Sequence, residues 1–277
     1  MRIVGTRQNP YILWRSKRVD TIVCWSAIMG VIFSLVFSAQ SQQARPILVG
    51  LRVREKAVEL KDYKPVSDGL VAWWRGEGNA YDSAGGQNGL LLGVKFEEGV
   101  VGQAFSFAGN PNRVFVPDSP KFQFTNSFSI AAWVYPKAPS WHILERTSFA
   151  ARYAAYSLGM DNAGKVLFKI HDHDANAGDS VYAPIEYNTW QHLAATLDGD
   201  SGTMRLYIGG KMVAEKTTSV RPTGPLNPNL QPGIGIGNTP NLGGFPFIGR
   251  IDEVLLYSRA LSADEVKNLG TLKHAAP

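Results

Sequence analysis

The chain has 277 residues, 44% of them hydrophobic and 18% charged, with a formal charge of +5. That balance excludes a disordered, highly charged chain, and a single cysteine, Cys24, excludes a disulfide-stapled fold. The pI of about 9.2 does not mark a nucleic-acid binder, because Arg2, Arg7, Arg15, Lys17 and Arg18, opposed by Asp20, hold +4 of the +5 and no later basic cluster interleaves with aromatics.

The basic segment runs into an uncharged stretch from Thr21 to Phe37 and then into Ser38, Ala39, Gln40 and Ser41, the order of an export signal. Ala39 and Ser41 are small residues placed for cleavage; an uncleaved anchor is the alternative, since the apolar run is long for a cleaved signal. Residues 1–44 are therefore read as an export signal or membrane anchor. The basic side faces inward in both cases, so the rest is expected outside the cytoplasm, in the periplasm, at the cell surface or secreted. Membrane contact is expected only through this segment. Cys24 lies inside the run, leaving the exported part without thiol chemistry. Residues 45–68 mix apolar and charged residues up to Pro65, Ser67 and Asp68 and read as a spacer.

From Gly69 onward short apolar or alternating runs are bounded by turn residues, the pattern of a β-sandwich or barrel. Strands are expected over 70–75, 103–107, 113–116, 128–135, 142–145, 156–160, 165–170, 190–197, 203–208, 211–217, 233–237 and 247–257. Asp198-Gly199-Asp200-Ser201-Gly202 and Gly209-Gly210 supply positive φ angles for tight hairpins, so the last strands before Thr217 should form a three-stranded meander. Ser262-Ala263-Asp264-Glu265 is a capping box with Gly270 as the stop, which predicts a short helix over 263–269. One all-β domain over 69–270 and a tail over 271–277 is the simplest division.

Five blocks then resemble a known family. They are Gly69 to Gly89, Gly102 to Phe107, Phe128 to Pro136, Trp190 to Thr196 and Gly249 to Ser262, in that order over about 200 residues. They are similar to the bacterial laminin-G-like domains of the concanavalin A-like lectin/glucanase superfamily. The resemblance implies a two-sheet antiparallel jelly-roll sandwich with a short C-terminal helix, and a ligand on the concave sheet or at the rim loops. It also implies a structural calcium ion held by Asp252, with Glu77, Asp82 and the loop Gly85 to Gly89 completing the oxygen shell. Asp252 and Glu253 sit in an otherwise apolar strand, where alternation sends the two acids to opposite faces, each needing a cation or donors. An ion pair with Arg250 or Arg75 and no metal is the alternative reading.

Two further groups are candidates for ligand binding. His171-Asp172-His173-Asp174 reads as a loop, with like side chains sharing a face, and is either a binding rim or a plain solvated turn. Trp141, with Arg146, Phe149, Arg152 and Tyr153 close in sequence, could stack on a sugar ring or hold a carboxylate at a sheet rim; core packing is the alternative for Trp141. Glycoside hydrolysis needs two carboxylates across the scissile bond, and no acidic alternating strand provides them; Glu97-Glu98 reads as a turn. A nucleophile elbow, a metalloprotease helix and a phosphate loop are also missing, Gly233 to Gly237 lacking a following helix. The expected role is recognition of a glycan or an extracellular protein surface rather than catalysis.

Overall fold

The structure is a computed structural model describing residues 64–149, 151–161, 163–241 and 244–271. The export signal with Cys24, the spacer up to residue 63 and the tail from residue 272 lie outside the described residues.

The strands are β1 (Leu70–Trp74), β2 (Leu90–Leu92), β3 (Lys95–Glu98), β4 (Gln103–Ala108), β5 (Arg113–Pro117), β6 (Phe128–Pro136), β7 (His142–Thr147) and β8 (Tyr156–Met160). They continue with β9 (Lys165–Asp172), β10 (Ala177–Pro184), β11 (Gln191–Asp198), β12 (Thr203–Ile208), β13 (Lys211–Thr217), β14 (Gly233–Ile236) and β15 (Ile248–Tyr257), closed by α1 (Ala263–Leu269). All pairings are antiparallel. One sheet runs β13-β12-β11-β6-β15-β4-β3 with β1 also on β15; the other runs β10-β9-β8-β7-β14-β5-β2. The expected sandwich, meander and helix are all present.

Alternation along each strand fills the space between the sheets. Phe128, Ile130, Ala132 and Val134 of β6 face Tyr156, Leu158, Met160, Val166, Phe168 and Ile170 of β8 and β9. Aromatic rings pack at its centre: Phe124 stacks on Phe128 at 5.2 Å, and Phe128 lies 4.9 Å from Tyr156 and 5.7 Å from Phe168. The Tyr156 hydroxyl stays satisfied in this core by donating to the Phe122 carbonyl at 3.1 Å.

Three strands were not expected. β2 is a three-residue edge strand, and β3 carries Glu97 and Glu98 on an edge strand rather than in a turn, its charges suiting an unpaired edge. β10 begins at Ala177 in what read as loop; its glycine, aspartate and closing Pro184 are poor strand formers that an edge position tolerates.

The eight-stranded sheet has a second, outer core. Ala131 and Ala194 pair across β6 and β11, and their small side chains let α1 approach closely. Val266, Leu269 and Leu261 then pack on Ala131, Ala194, Tyr207, Leu255 and Tyr257. The Ser262–Glu265 capping box forms as expected, and Arg259 forks onto Glu265 at 2.7 and 2.9 Å, holding that carboxyl down at about 2. Among the described residues no helix is long and apolar enough to cross a membrane.

Candidate functional site

A cavity of about 530 Å³ lies on the outer face of the seven-stranded sheet. Its floor is the set of side chains that alternate away from the core, namely Glu145 and Thr147 of β7, Ser157 and Gly159 of β8, and Leu167 and Lys169 of β9. The β7–β8 loop contributes Phe149, Arg152 and Tyr153 to the walls, and the β14–β15 loop contributes Thr239, Asn241 and Phe245.

A bulge in β7 shapes one end. His142 pairs with Gly159 but Leu144 with Leu158, so Ile143 is an extra residue, and both Ile143 and Leu144 point into the core. His142 and Glu145, three apart, therefore share the outer face, and the His142 Nδ1 lies 2.9 Å from a Glu145 carboxylate oxygen. Gly159 permits the geometry, since a Cβ there would stand 2.3 Å from the Trp141 carbonyl. Trp141 and Phe245 meet edge to face at 5.0 Å, and Phe245 also meets the His142 ring at 5.9 Å, while 46% of Phe245 remains exposed. The other end is built around Tyr153. Its ring is stacked by His171 at 4.3 Å and carries the Lys169 ammonium at 4.7 Å and the Arg152 guanidinium at 5.1 Å. Burial, then the nearby His173 and Lys169, pushes His171 below the ordinary histidine value, so the ring is neutral at pH 7.

Of the expected ligand residues, Trp141 lines this groove. His171 backs it but is buried, at 4% exposure. Asp172 accepts the N–H groups of Asp174 and Ala175 and so ties the β9–β10 hairpin turn, in which Asp174 is exposed and Asn176 takes a φ of 48°. The two histidine rings do share a face, 5.3 Å apart. Arg146 is a correction: alternation turns it inward, fully buried, where it makes a two-pronged contact with Asp118 at 2.8 and 2.9 Å and donates to the Thr223 carbonyl at 3.1 Å. It has no access to a ligand. Sequence reading missed Lys169, Phe245, Asn241 and the His142–Glu145 pair. Only Lys169 had a signal, its place between Phe168 and Ile170 on the outward side of β9.

The expected metal residues stand elsewhere. Along β15 the neighbour changes from β4, which ends its pairing at Ile251, to β1, which begins at Val254, and a second bulge falls at that seam. Ile251 and Val254 both enter the core, so simple alternation of Asp252 and Glu253 does not hold; Glu253 takes a φ of 50°. Asp252 accepts the N–H groups of Val100 and Val101 at 2.8 and 3.1 Å and of Glu253 at 2.8 Å. Glu253 accepts the Trp73 indole at 2.5 Å and has Arg75 at 3.7 Å. The Asp252 carboxyl thus takes up the Glu253 N–H where the β15 ladder is interrupted. Burial raises both, Asp252 to about 8 with Glu253 adding repulsion, and Glu253 to about 7 despite the Trp73 and Arg75 contacts.

Asp82 accepts the N–H groups of Trp73, Ala84, Gly85 and Gln87 and so folds its own loop. Glu77 accepts from Gln103 at 3.2 Å. N–H donors thus already engage both oxygens of Asp82 and Asp252 and one oxygen of Glu77, while the buried Glu253 Oε1 has no hydrogen-bond partner, and among the described residues no three His, Cys, Asp or Glu side chains are grouped to hold a metal. The donor set at the seam does not fit the expected ion.

A family model described as the concanavalin A-like lectin/glucanases superfamily matches residues 108–267. No curated protein matches the chain. Among solved structures, domain 4 of AbnA, an extracellular arabinanase from Geobacillus stearothermophilus in complex with arabinotriose, is 21% identical with a TM-score of 0.57, over 73% of this chain and 98% of that one. The binding domain of Paraclostridial Mosquitocidal Protein 1 is 19% identical (TM-score 0.58, over 74% of this chain and 52% of that one). A Trypanosoma rangeli sialidase is 16% identical (TM-score 0.54, over 74% and 33%). The chain spans about half the length of the toxin binding domains it matches. At these identities the likeness is one of fold.

Proposed function

The chain belongs to the concanavalin A-like lectin/glucanase superfamily, and on that premise we propose that it is an extracytoplasmic glycan-binding module whose site is the groove on the outer face of the seven-stranded sheet. The observation carrying this reading is the aromatic wall over a polar floor: Trp141 and Phe245 at one end and Tyr153 at the other, above Glu145, Ser157 and Lys169. Sugar rings present apolar C–H faces that pack on aromatics and hydroxyls that pair with such floor groups. One carboxylate, Glu145, lines the groove among the described residues, and His142 already engages it. Hydrolysis through paired carboxylates needs a second, so recognition is the better supported role. The arabinotriose complex of the AbnA domain supports the glycan over a protein partner. Placement outside the cytoplasm rests on the leader from Arg2 to Ser41.

Trp141→Ala and Phe245→Ala are each expected to weaken glycan binding about 10-fold or more, the loss of one well-packed aromatic contact, with melting temperature unchanged. Calorimetric titration of a glycan selected on an array checks this, and equal affinities for parent and variants would overturn the site. Amino-terminal sequencing with membrane fractionation tests export.

A further inference from the structure

The groove is electrically lopsided, and the asymmetry deepens the reading just given, on which it rests. Glu145, Ser157 and Lys169 are paired neighbours across β7, β8 and β9. With strands about 4.8 Å apart, Glu145 and Lys169 stand roughly 10 Å from one another along the floor. At the Trp141–Phe245 end the one acid is matched by His142. At the other end Lys169 and Arg152 both lie against the Tyr153 ring, and neither makes an ion pair or a hydrogen bond among the described residues. Beside them the buried His171 Nδ1 has no hydrogen-bond partner. Two cations held against one aromatic ring repel each other; Asp172, whose charge reaches His171, is engaged by the N–H groups of its own hairpin turn, and an anion placed between the two cations would offset their repulsion.

We propose that the Tyr153 end of the groove takes the acidic group of a glycan, a sugar carboxylate or sulfate ester held by Lys169 and Arg152, while the Trp141–Phe245 end takes an uncharged ring of the same chain. The separation of the two ends, about the length of two sugar units, fits an oligosaccharide rather than a single sugar.

The test uses the full chain on an array of neutral, uronate-bearing, sialate-bearing and sulfated oligosaccharides, followed by titration of the best uronate or sialate ligand and of its methyl ester. Acidic glycans are expected to dominate the bound set, the acid to bind at least about 10-fold more tightly than its ester, and that preference to shrink as salt rises. Lys169→Met with Arg152→Met should abolish the preference, acid and ester then binding with equal affinity, whereas Trp141→Ala should weaken acid and ester alike and keep the preference. The uronate, sialate and sulfate arms tell carboxylate from sulfate as the group bound. Binding of neutral glycans alone, equal affinity for acid and ester, or a preference untouched by the double variant would overturn this inference while leaving the glycan-binding reading standing. Binding of no glycan at all would overturn both. Both substituted residues are at the surface or half-buried, and unchanged melting curves separate lost recognition from lost fold.

Discussion

The two sheets of the sandwich treat their outer faces in opposite ways. On the eight-stranded sheet paired alanines admit α1, and the covered face buries polar groups: His192 is 1% exposed, with neither ring nitrogen hydrogen-bonded, against Trp133 at 5.4 Å. On the seven-stranded sheet the loops stand as walls rather than as a lid, and the aromatic and charged side chains stay open to solvent. A covered face contributes stability and an open face contributes a site. Substitutions should therefore sort by face, with melting affected on one and binding on the other.

The largest effect is expected where the core itself is touched. Arg146→Met breaks the buried contact with Asp118 and should lower stability by about 3 kcal/mol or more in denaturant unfolding, with glycan affinity kept by the folded fraction. A direct loss of binding with normal stability would put Arg146 back at the site. Next, Leu269→Ala removes a side chain between α1 and the covered face and should cost about 2–3 kcal/mol, again without changing affinity.

Smaller effects separate the buried titratable groups of the eight-stranded sheet by pH. Asp252 and Glu253 have folded pKa values raised to about 8 and about 7, above ordinary carboxyls near 4. The folded state therefore holds protons that the unfolded state has released, and their contribution is full below about pH 4 and lost as pH rises through 7 to 8. His192 has the reverse sign: burial lowers it to about 3, so its contribution is full above about pH 6.5 and lost as pH falls toward 3. Melting temperature against pH should fall less steeply on the neutral side in Asp252→Asn, where Glu253 still titrates, and on the acid side in His192→Phe, where Glu265 still does; parallel curves for parent and variant would refute the assignment. The smallest expected effect is that of calcium. Melting curves in calcium and in chelator should coincide, because N–H groups already hold Asp82 and Asp252; a rise in calcium would return a cation to the β15 seam.

Much of the fold could be read from residue order. The Gly209-Gly210 hairpin, with φ of 56° and 74°, the capping box of α1 and the alternating core of β6 each follow from local chemistry, and each formed where expected. The edge strands β2, β3 and β10 were illegible because their residues carry little strand preference and are held by a single neighbour. The site was legible in the stretch from Trp141 to Tyr153, of which Trp141, Phe149, Arg152 and Tyr153 line the groove. Arg146, from the same stretch, was placed on the wrong face, and the Tyr153 cluster draws on two separate segments, the β7–β8 loop and β9, so no spacing in the sequence could announce it.

Sequence by itself determined the class of fold, the position of its turns and its core, because these depend on preferences within a few residues and on the two-residue period of a strand. Tertiary structure alone decided the register shifts, among them the bulges at Ile143 and at Asp252–Glu253. Each arises from the strand's hydrogen-bonding neighbours, which in β15 change from β4 to β1, and local sequence carries no record of such partners. Each bulge shifts the period by one, and that shift sets His142 beside Glu145 in the groove and brings the acids of β15 to the N–H groups of Val100, Val101 and the Trp73 indole.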